Sequence, residues 1–389
     1  MAELQAEPQL DEKKITLMLQ EANHLMAEYR YQEAADILEK VLMINSTTNG
    51  AIEAYQQALS GIELQTQKIL VSQLESTRYQ AQETKDWGVY GKLGLNAGWG
   101  DNLNRAPADK NIKITPGEGE GELELSEEFQ PQNGFGVEAD ASIFAVKKLS
   151  NADSVNLSLH VQNRTTNKEK FTDYVRINTG ISGQHKLEAG AELGTALYFD
   201  VLRYDNKAKF YSLDLINRYA WQNNASCHSQ VGIDIQWKHQ KDNSIFDSIY
   251  SGGVAATNCY WWGGTYHLGL SLGNEWALDE RRPGGGQQKL LVQLNHDRDI
   301  SWLRAEDRIN AYINIEHRQD QQGYSALLEN GAKRTLNRMV VGGQYRFPMV
   351  YKENPWWLTL DVEWQKQYSN IQLFEYDALE VWVGVEVLW

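Results

Sequence analysis

Along most of this chain, apolar and polar residues alternate one for one. Val155, Leu157, Leu159 and Val161 interleave with Asn156, Ser158, His160 and Gln162. Leu268, Leu270 and Leu272 alternate with His267, Gly269 and Ser271, and Leu358, Leu360 and Val362 with Thr359 and Asp361. A period of two sends successive side chains to opposite faces of an extended strand. From Asp86 onward the pattern predicts fourteen strands, at roughly 87–101, 134–149, 154–166, 171–183, 187–203, 208–222, 226–240, 248–262, 266–279, 288–299, 303–318, 334–348, 356–370 and 379–389. Residues 12–82 read differently. Leu17, Leu25, Ala34, Leu38, Val41 and Leu42 recur at helical spacing, and Asn45–Gly50 ends one helix before Ala51–Leu64 repeats the pattern. Ala22, Ala34, Leu38 and Val41 fall where a tetratricopeptide helix pair interlocks, although Ser46 stands where Pro is usual.

The predicted connections alternate in length. Those after odd-numbered strands are the long ones, 102–133, 241–247, 280–287, 319–333 and 371–378. Those after even-numbered strands are mostly short: Ser150–Asp153, Gln184–Lys186, Asn223–Ala225 and Gly263–Thr265, with Met349–Pro355 the exception. An even number of antiparallel strands with short turns at one end and long loops at the other closes into a barrel without free edges. The expected architecture is an all-β transmembrane barrel of about 14 antiparallel strands (residues 86–389), preceded by a small α-helical, TPR-like domain and linker (residues 1–85). Mean hydropathy is -0.55 and no run of 18 apolar residues occurs, which excludes a membrane helix but suits a barrel whose polar lumen dilutes its lipid face. Thirteen Trp and nineteen Tyr are enough for two interfacial girdles. The net charge of -15 argues against a nucleic-acid partner.

The last strand has a further feature. Val381, Val383, Val385 and Val387 lead in steps of two to a terminal Trp389. This resembles the closing strand of a bacterial outer-membrane barrel, whose terminal aromatic is read by the assembly machinery. Gly384, Val387 and Trp389 are therefore the expected insertion signal. Met1-Ala2-Glu3 is already polar, so a mature form lacking its leader is expected, since a barrel first crosses the inner membrane.

No Gly-x-Ser-x-Gly, His-Glu-x-x-His or Cys-x-x-Cys occurs. No enzymatic activity, metal site or cofactor is expected. The two cysteines, Cys227 and Cys259, lie on consecutive strands about a turn centred near Asn243 and in the phase of Val231, Ile233 and Ile235. They either form a cross-strand disulfide or stand as two small apolar residues facing lipid. The polar phase places Glu138, Asp140, Arg176, Glu188, Glu192, Asp214, Arg218, Asp234, Glu275, Arg308, Arg338, Arg346, Asp361 and Glu363 in the lumen. They either neutralise one another or form a track for a hydrophilic substrate. The longest connection carries six Glu in the twelve residues Gly117–Glu128: Glu118, Glu120, Glu122, Glu124, Glu127 and Glu128. This run is a candidate gate, a cation site or a solvated flap.

Two stretches carry a more specific resemblance. Gly98-Trp99-Gly100-Asp101-Asn102-Leu103-Asn104-Arg105-Ala106-Pro107 ends the first strand, and Ser369-Asn370-Ile371 with Tyr376-Asp377 falls in the last hairpin. Both are similar to the surface lipoprotein assembly modifier family, tetratricopeptide-linked outer-membrane barrels. The resemblance implies a periplasmic helical domain on a fourteen-stranded barrel, and a role in bringing lipoproteins or secreted proteins to the cell surface. Its helical part, about 80 residues here, is shorter than that family's array. Exopolysaccharide export porins combine the same parts and are the alternative. Either way the implied partners are outer-membrane lipids, the outer-membrane assembly machinery, and a periplasmic protein, lipoprotein or polysaccharide cargo.

Overall fold

The computed structural model describes residues 87–389, except 116–118, 120, 126, 128–129, 168–172, 188–189, 205–206, 242–243, 301–306 and 350–355. The expected helical domain and linker fall outside the described residues.

Among the described residues there are sixteen strands: β1 (Gly88–Gly100), β2 (Asn111–Ile114), β3 (Gly121–Glu124), β4 (Gly134–Lys148), β5 (Asp153–Thr166), β6 (Tyr174–Lys186), β7 (Glu192–Tyr204), β8 (Lys207–Asn224), β9 (Cys227–Gln240), β10 (Ser248–Trp261), β11 (Gly264–Ala277), β12 (Gln287–Ile300), β13 (Asp307–Gly323), β14 (Lys333–Pro348), β15 (Trp356–Ser369) and β16 (Tyr376–Leu388). Fourteen of them close into an antiparallel barrel in which each pairs with its sequence neighbour, and β1 pairs with both β4 and β16. The barrel strands run from 13 residues in β1 to 18 in β8. About 9–11 tilted residues suffice to cross a bilayer's hydrocarbon.

The barrel is apolar outside and polar inside. Among its most buried residues are Ser142, Asn156, Asp200, Ser212, Glu275 and Glu386, whereas Leu95, Leu159, Ile181, Ile233, Leu272, Ile315 and Val383 are exposed. In water this arrangement would leave an apolar band far larger than soluble monomers carry. In a bilayer it is the low-energy one, because a closed sheet pairs backbone groups from strand to strand and leaves no free edge in lipid. Two belts of exposed aromatics bound the band. Trp87, Tyr219, Trp261, Trp262, Trp356 and Trp389 ring the short-turn end, and Phe135, Trp237, Trp276 and Tyr368 the long-loop end. Such belts seat amphipathic rings at the headgroups.

Three expectations need correction. The turn expected at Gln184–Lys186 lies at residues 187–191, so β6 and β7 each start several residues later than predicted. Ser182-Gly183-Gln184 looks like a turn, but it is Gly190, at φ 78°, that takes the left-handed backbone the reversal requires. The final hairpin is tighter than the predicted 371–378, with β16 beginning at Tyr376 after a 3₁₀ turn at Gln372–Phe374. The connection 102–133, for which no strand was expected, contains the β2–β3 hairpin, in register from Asn111–Glu124 to Ile114–Gly121.

Candidate functional site: a paired-charge lumen under a strapped mouth

Side chains from strands that are not neighbours in the sheet meet only inside a barrel, and their contacts define the lumen. Arg164 on β5 reaches Glu380 on β16 at 3.1 Å, and its guanidinium lies 4.8 Å from the centre of the Trp382 ring. Lys92 on β1 links the strands on its two sides, reaching Glu386 on β16 at 2.8 Å and Asp140 on β4 at 3.5 Å. Arg346 on β14 is 3.7 Å from Glu386. Tyr312 on β13 donates to Glu363 on β15.

Most of the projected lumen charges are matched. Arg176 meets Asp200 at 2.7 Å, Arg218 forks onto Asp234, and Arg338 holds Glu316 at 2.8 Å. Arg308 sits between Asp297 and Asp299 at 3.2 and 2.9 Å. Glu275 accepts from Ser248, Lys238, Arg282 and Lys289. Other carboxylates bond to neutral partners: Asp361 to Gln344 at 2.6 Å, Asp214 to Ser212 at 3.2 Å, and Glu363 to Gln365 and Tyr312. Glu138 lies directly across the ladder from Arg164. Glu192 begins β7 opposite Lys186, and Glu188 lies outside the described residues. Alternation alone would also have yielded Lys92, Lys289 and Arg318, which share the polar phase of their strands but are not among the expected lumen charges. In the β11–β12 loop, hydrogen bonds from the Arg281 side chain and backbone hold the Asp279 carboxyl down to about 2.

Four lumen rings lie against glycines. A side chain on Gly180 would strike Tyr198, one on Gly252 or Gly273 would strike Tyr250, one on Gly342 would strike Tyr312, and one on Gly98 would strike Trp382. The glycines let bulky rings lie along the wall rather than project across the lumen.

At the long-loop end, the first connection crosses the closing seam. Asp101 accepts from Leu379 N at 2.7 Å. The Asn102 amide, 3 % exposed, donates to Asp377 O at 2.9 Å and Ala106 O at 3.0 Å, and its oxygen accepts from Ala106 N at 2.9 Å. Asn104 brackets the returning chain at Gln130 O and Gln132 N. Further along, Ala108 N donates to Glu375 O, Lys113 N to Gln372 Oε1, and Thr115 N to Leu327 O. The segment thus ties β1 to the β15–β16 and β13–β14 loops. The far anchor has its own bracing: Asn370 joins Thr335 N to Lys333 O, and Ile371 is fully buried.

Of the acidic run, the structure describes three glutamates. Glu122 and Glu124 on β3 and Glu127 beyond it are exposed, and Glu118, Glu120 and Glu128 lie outside the described residues. Leu103 and Arg105 turn inward instead. Leu103 packs over Gly100, and Arg105, at φ 48°, reaches to 3.8 Å from Glu380.

Cys227 and Cys259 are register partners on β9 and β10, joined by a disulfide with a Cα separation of 4.2 Å. At the seam, Trp389 exchanges backbone hydrogen bonds with Gly91 in both directions, at 2.7 and 3.0 Å, and its ring lies over that glycine. Gly384 makes room for Asn96, and Val387 pairs with Leu93. No group of three His, Cys, Asp or Glu among the described residues is placed to hold a metal ion.

No protein-family model and no curated protein matches the chain. Solved structures with the same kind of fold include an anion-selective porin from Comamonas acidovorans (TM-score 0.43, 8 % identity, 78 % of this chain and 99 % of that one). The Pseudomonas aeruginosa protein OpdK, solved with vanillate, has a TM-score of 0.39 at 8 % identity, over 77 % of this chain and 99 % of that one. CdiB from Acinetobacter baumannii has a TM-score of 0.40 at 8 % identity, over 77 % of this chain and 60 % of that one. These are likenesses of barrel architecture.

Proposed function

We propose that this chain is an outer-membrane translocation or assembly protein that guides a hydrophilic macromolecule, a surface lipoprotein or secreted protein, to the cell surface, with residues 12–82, whose sequence predicts helices, receiving cargo in the periplasm. The observation that carries this reading is the β1–β16 seam. Its ladder runs from Lys92–Leu388 to Gly100–Glu380 and is continued by backbone bonds at Gly91–Trp389 and Asp101–Leu379, still shorter than the Gly88–Val146 to Gly100–Gly134 ladder on the other side of β1. The lumen face of β1 along that ladder is Lys92, Gly94, Asn96, Gly98 and Gly100, so β1 brings few long side chains of its own, and the seam is packed mainly by Glu386 and Trp382 of β16 against Lys92 and Gly98. The first connection bridges the seam from outside. A cargo with both a polar body and a lipid anchor needs a route between lumen and bilayer, and a short, glycine-lined seam under a removable strap supplies one. Charges that neutralise each other along the wall give such a cargo a polar surface without a strong trap.

A second reading, exopolysaccharide export, is favoured by the four rings held flat against glycines. Together with neighbouring carboxylates they offer apolar faces and hydrogen-bond acceptors to sugar rings.

One experiment separates the two. Ala97 and Val383 are register partners at the seam, and opposed residues of an antiparallel pair lie within disulfide reach. The pair Ala97→Cys with Val383→Cys, oxidised in intact cells, should lock the seam. Protease shaving followed by mass spectrometry should then lose surface-exposed lipoproteins, and reductant should restore them. Unchanged surface lipoproteins would count against the seam route. Loss of extracellular polysaccharide would select the second reading.

A further inference from the structure

The lumen charges do not balance everywhere. On the wall formed by β9 to β14 below the outer mouth, Lys238, Lys289 and Arg282 share the single carboxylate of Glu275, and Arg318 and Arg338 share that of Glu316. Lys289 and Arg318 are register partners on β12 and β13, and Glu316 and Arg338 are partners on β13 and β14, so the two groups form one arc. Asp214 on β8 is the next carboxylate along, beside Lys238. Asp320 is taken by Arg334 at 3.1 Å. Five cations therefore face three carboxylates.

The accessible part of this excess is the Arg318–Arg338 pair. Their side chains are 34 % and 36 % exposed, whereas the Glu316 between them is 12 % exposed. Lys289, at 14 %, is the register partner of Arg318 and already pairs with Glu275. Each guanidinium carries a fork of donors, and one carboxylate cannot satisfy two forks. Like charges held this close against a low-dielectric wall repel unless a counter-anion joins them.

We propose that Arg318, Arg338 and Lys289 form a binding site for oxyanion groups, the phosphates or carboxylates of a polyanionic solute or polymer entering the lumen. Planar bidentate acceptors fit the two guanidinium forks, and Lys289 supplies a point charge beside Arg318. The site takes its place on the wall without displacing Glu275, whose oxygens already accept four donors. It does not depend on which macromolecule is exported.

The test is titration calorimetry on the full chain in detergent at fixed salt, with inorganic tripolyphosphate and citrate as probes. Saturable binding of at least one probe is expected, and preference between them tells phosphate from carboxylate. Arg318→Gln and Arg338→Gln should each weaken binding about tenfold, as expected for a partly exposed charge-assisted fork. Arg176→Gln removes an equal charge from the opposite wall and should leave binding unchanged. Glu316→Gln should tighten it, a change that damage to the fold would not produce. No binding to the wild type, equal weakening by Arg176→Gln, or weakening by Glu316→Gln would overturn the site.

Discussion

Replacing Asn102 with Ala tests whether the first connection is a strap across the seam. The side chain makes three hydrogen bonds of 2.9–3.0 Å in a site where it is 3 % exposed. Its loss leaves Ala106 N and two carbonyls without that partner. At about 1 kcal/mol for each lost bond, and more where a buried group is stranded, the change should cost about 2–4 kcal/mol. Asn102 belongs to the loop and not to a barrel ladder, so the cost should fall on strap docking. An effect of about 3 kcal/mol raises the open population of the strap by roughly two orders of magnitude. Hydrogen exchange with mass spectrometry reads this directly. Peptides carrying the amides of Ala106, Ala108, Lys113 and Thr115, all bonded in the docked strap, should exchange about 100-fold faster in Asn102→Ala. Peptides from β9 and β10 should not change. Asn102→Asp keeps the acceptor for Ala106 N and loses both donors, so it should fall between. Unchanged exchange over residues 102–115, or equal acceleration throughout the barrel, would refute the strap.

Further outcomes follow from other parts of the barrel. Trp389→Asp removes the ring from Gly91 and puts a charge at the lipid boundary, so heat-modifiable, membrane-inserted protein should fall sharply; normal insertion would count against its role in closure. Gly98→Val forces a side chain into the Trp382 ring, and the temperature at which the folded band disappears on semi-native gels should drop. A tag near Gly119 should be reached by antibody on intact cells and one near residue 10 should not; reversed labelling would invert the topology. Denatured protein without reductant should bind no maleimide at Cys227 or Cys259, and should take up two equivalents after reduction.

The barrel was legible because its signal is local. Each strand announces itself by alternation, and loop lengths order the ends. The spacing of Cys227 and Cys259 about Asn243 left a cross-strand disulfide and two lipid-facing thiols both open, and the register of β9 with β10 decides for the disulfide. The errors came where a local signal was ambiguous: the turn expected at Gln184–Lys186 lies a few residues further on, where Gly190 takes the left-handed backbone. The strap was half visible. Its asparagines formed a motif in the sequence, and so did Ser369-Asn370-Ile371, but that Asn102 bonds to Asp377 from the opposite end of the chain is a property of closure, invisible until β1 meets β16. The lumen was least legible. Parity gives the face of each charge, yet Arg164 finds Glu380 three strands away around the wall, and Lys238 reaches Glu275 across an intervening strand. Such partners depend on strand tilt and stagger, which set the height of each side chain in the lumen. A sequence can therefore say that charges line this barrel. Which of them cancel, and where an excess remains for a passing solute, is decided by the shear of the closed sheet.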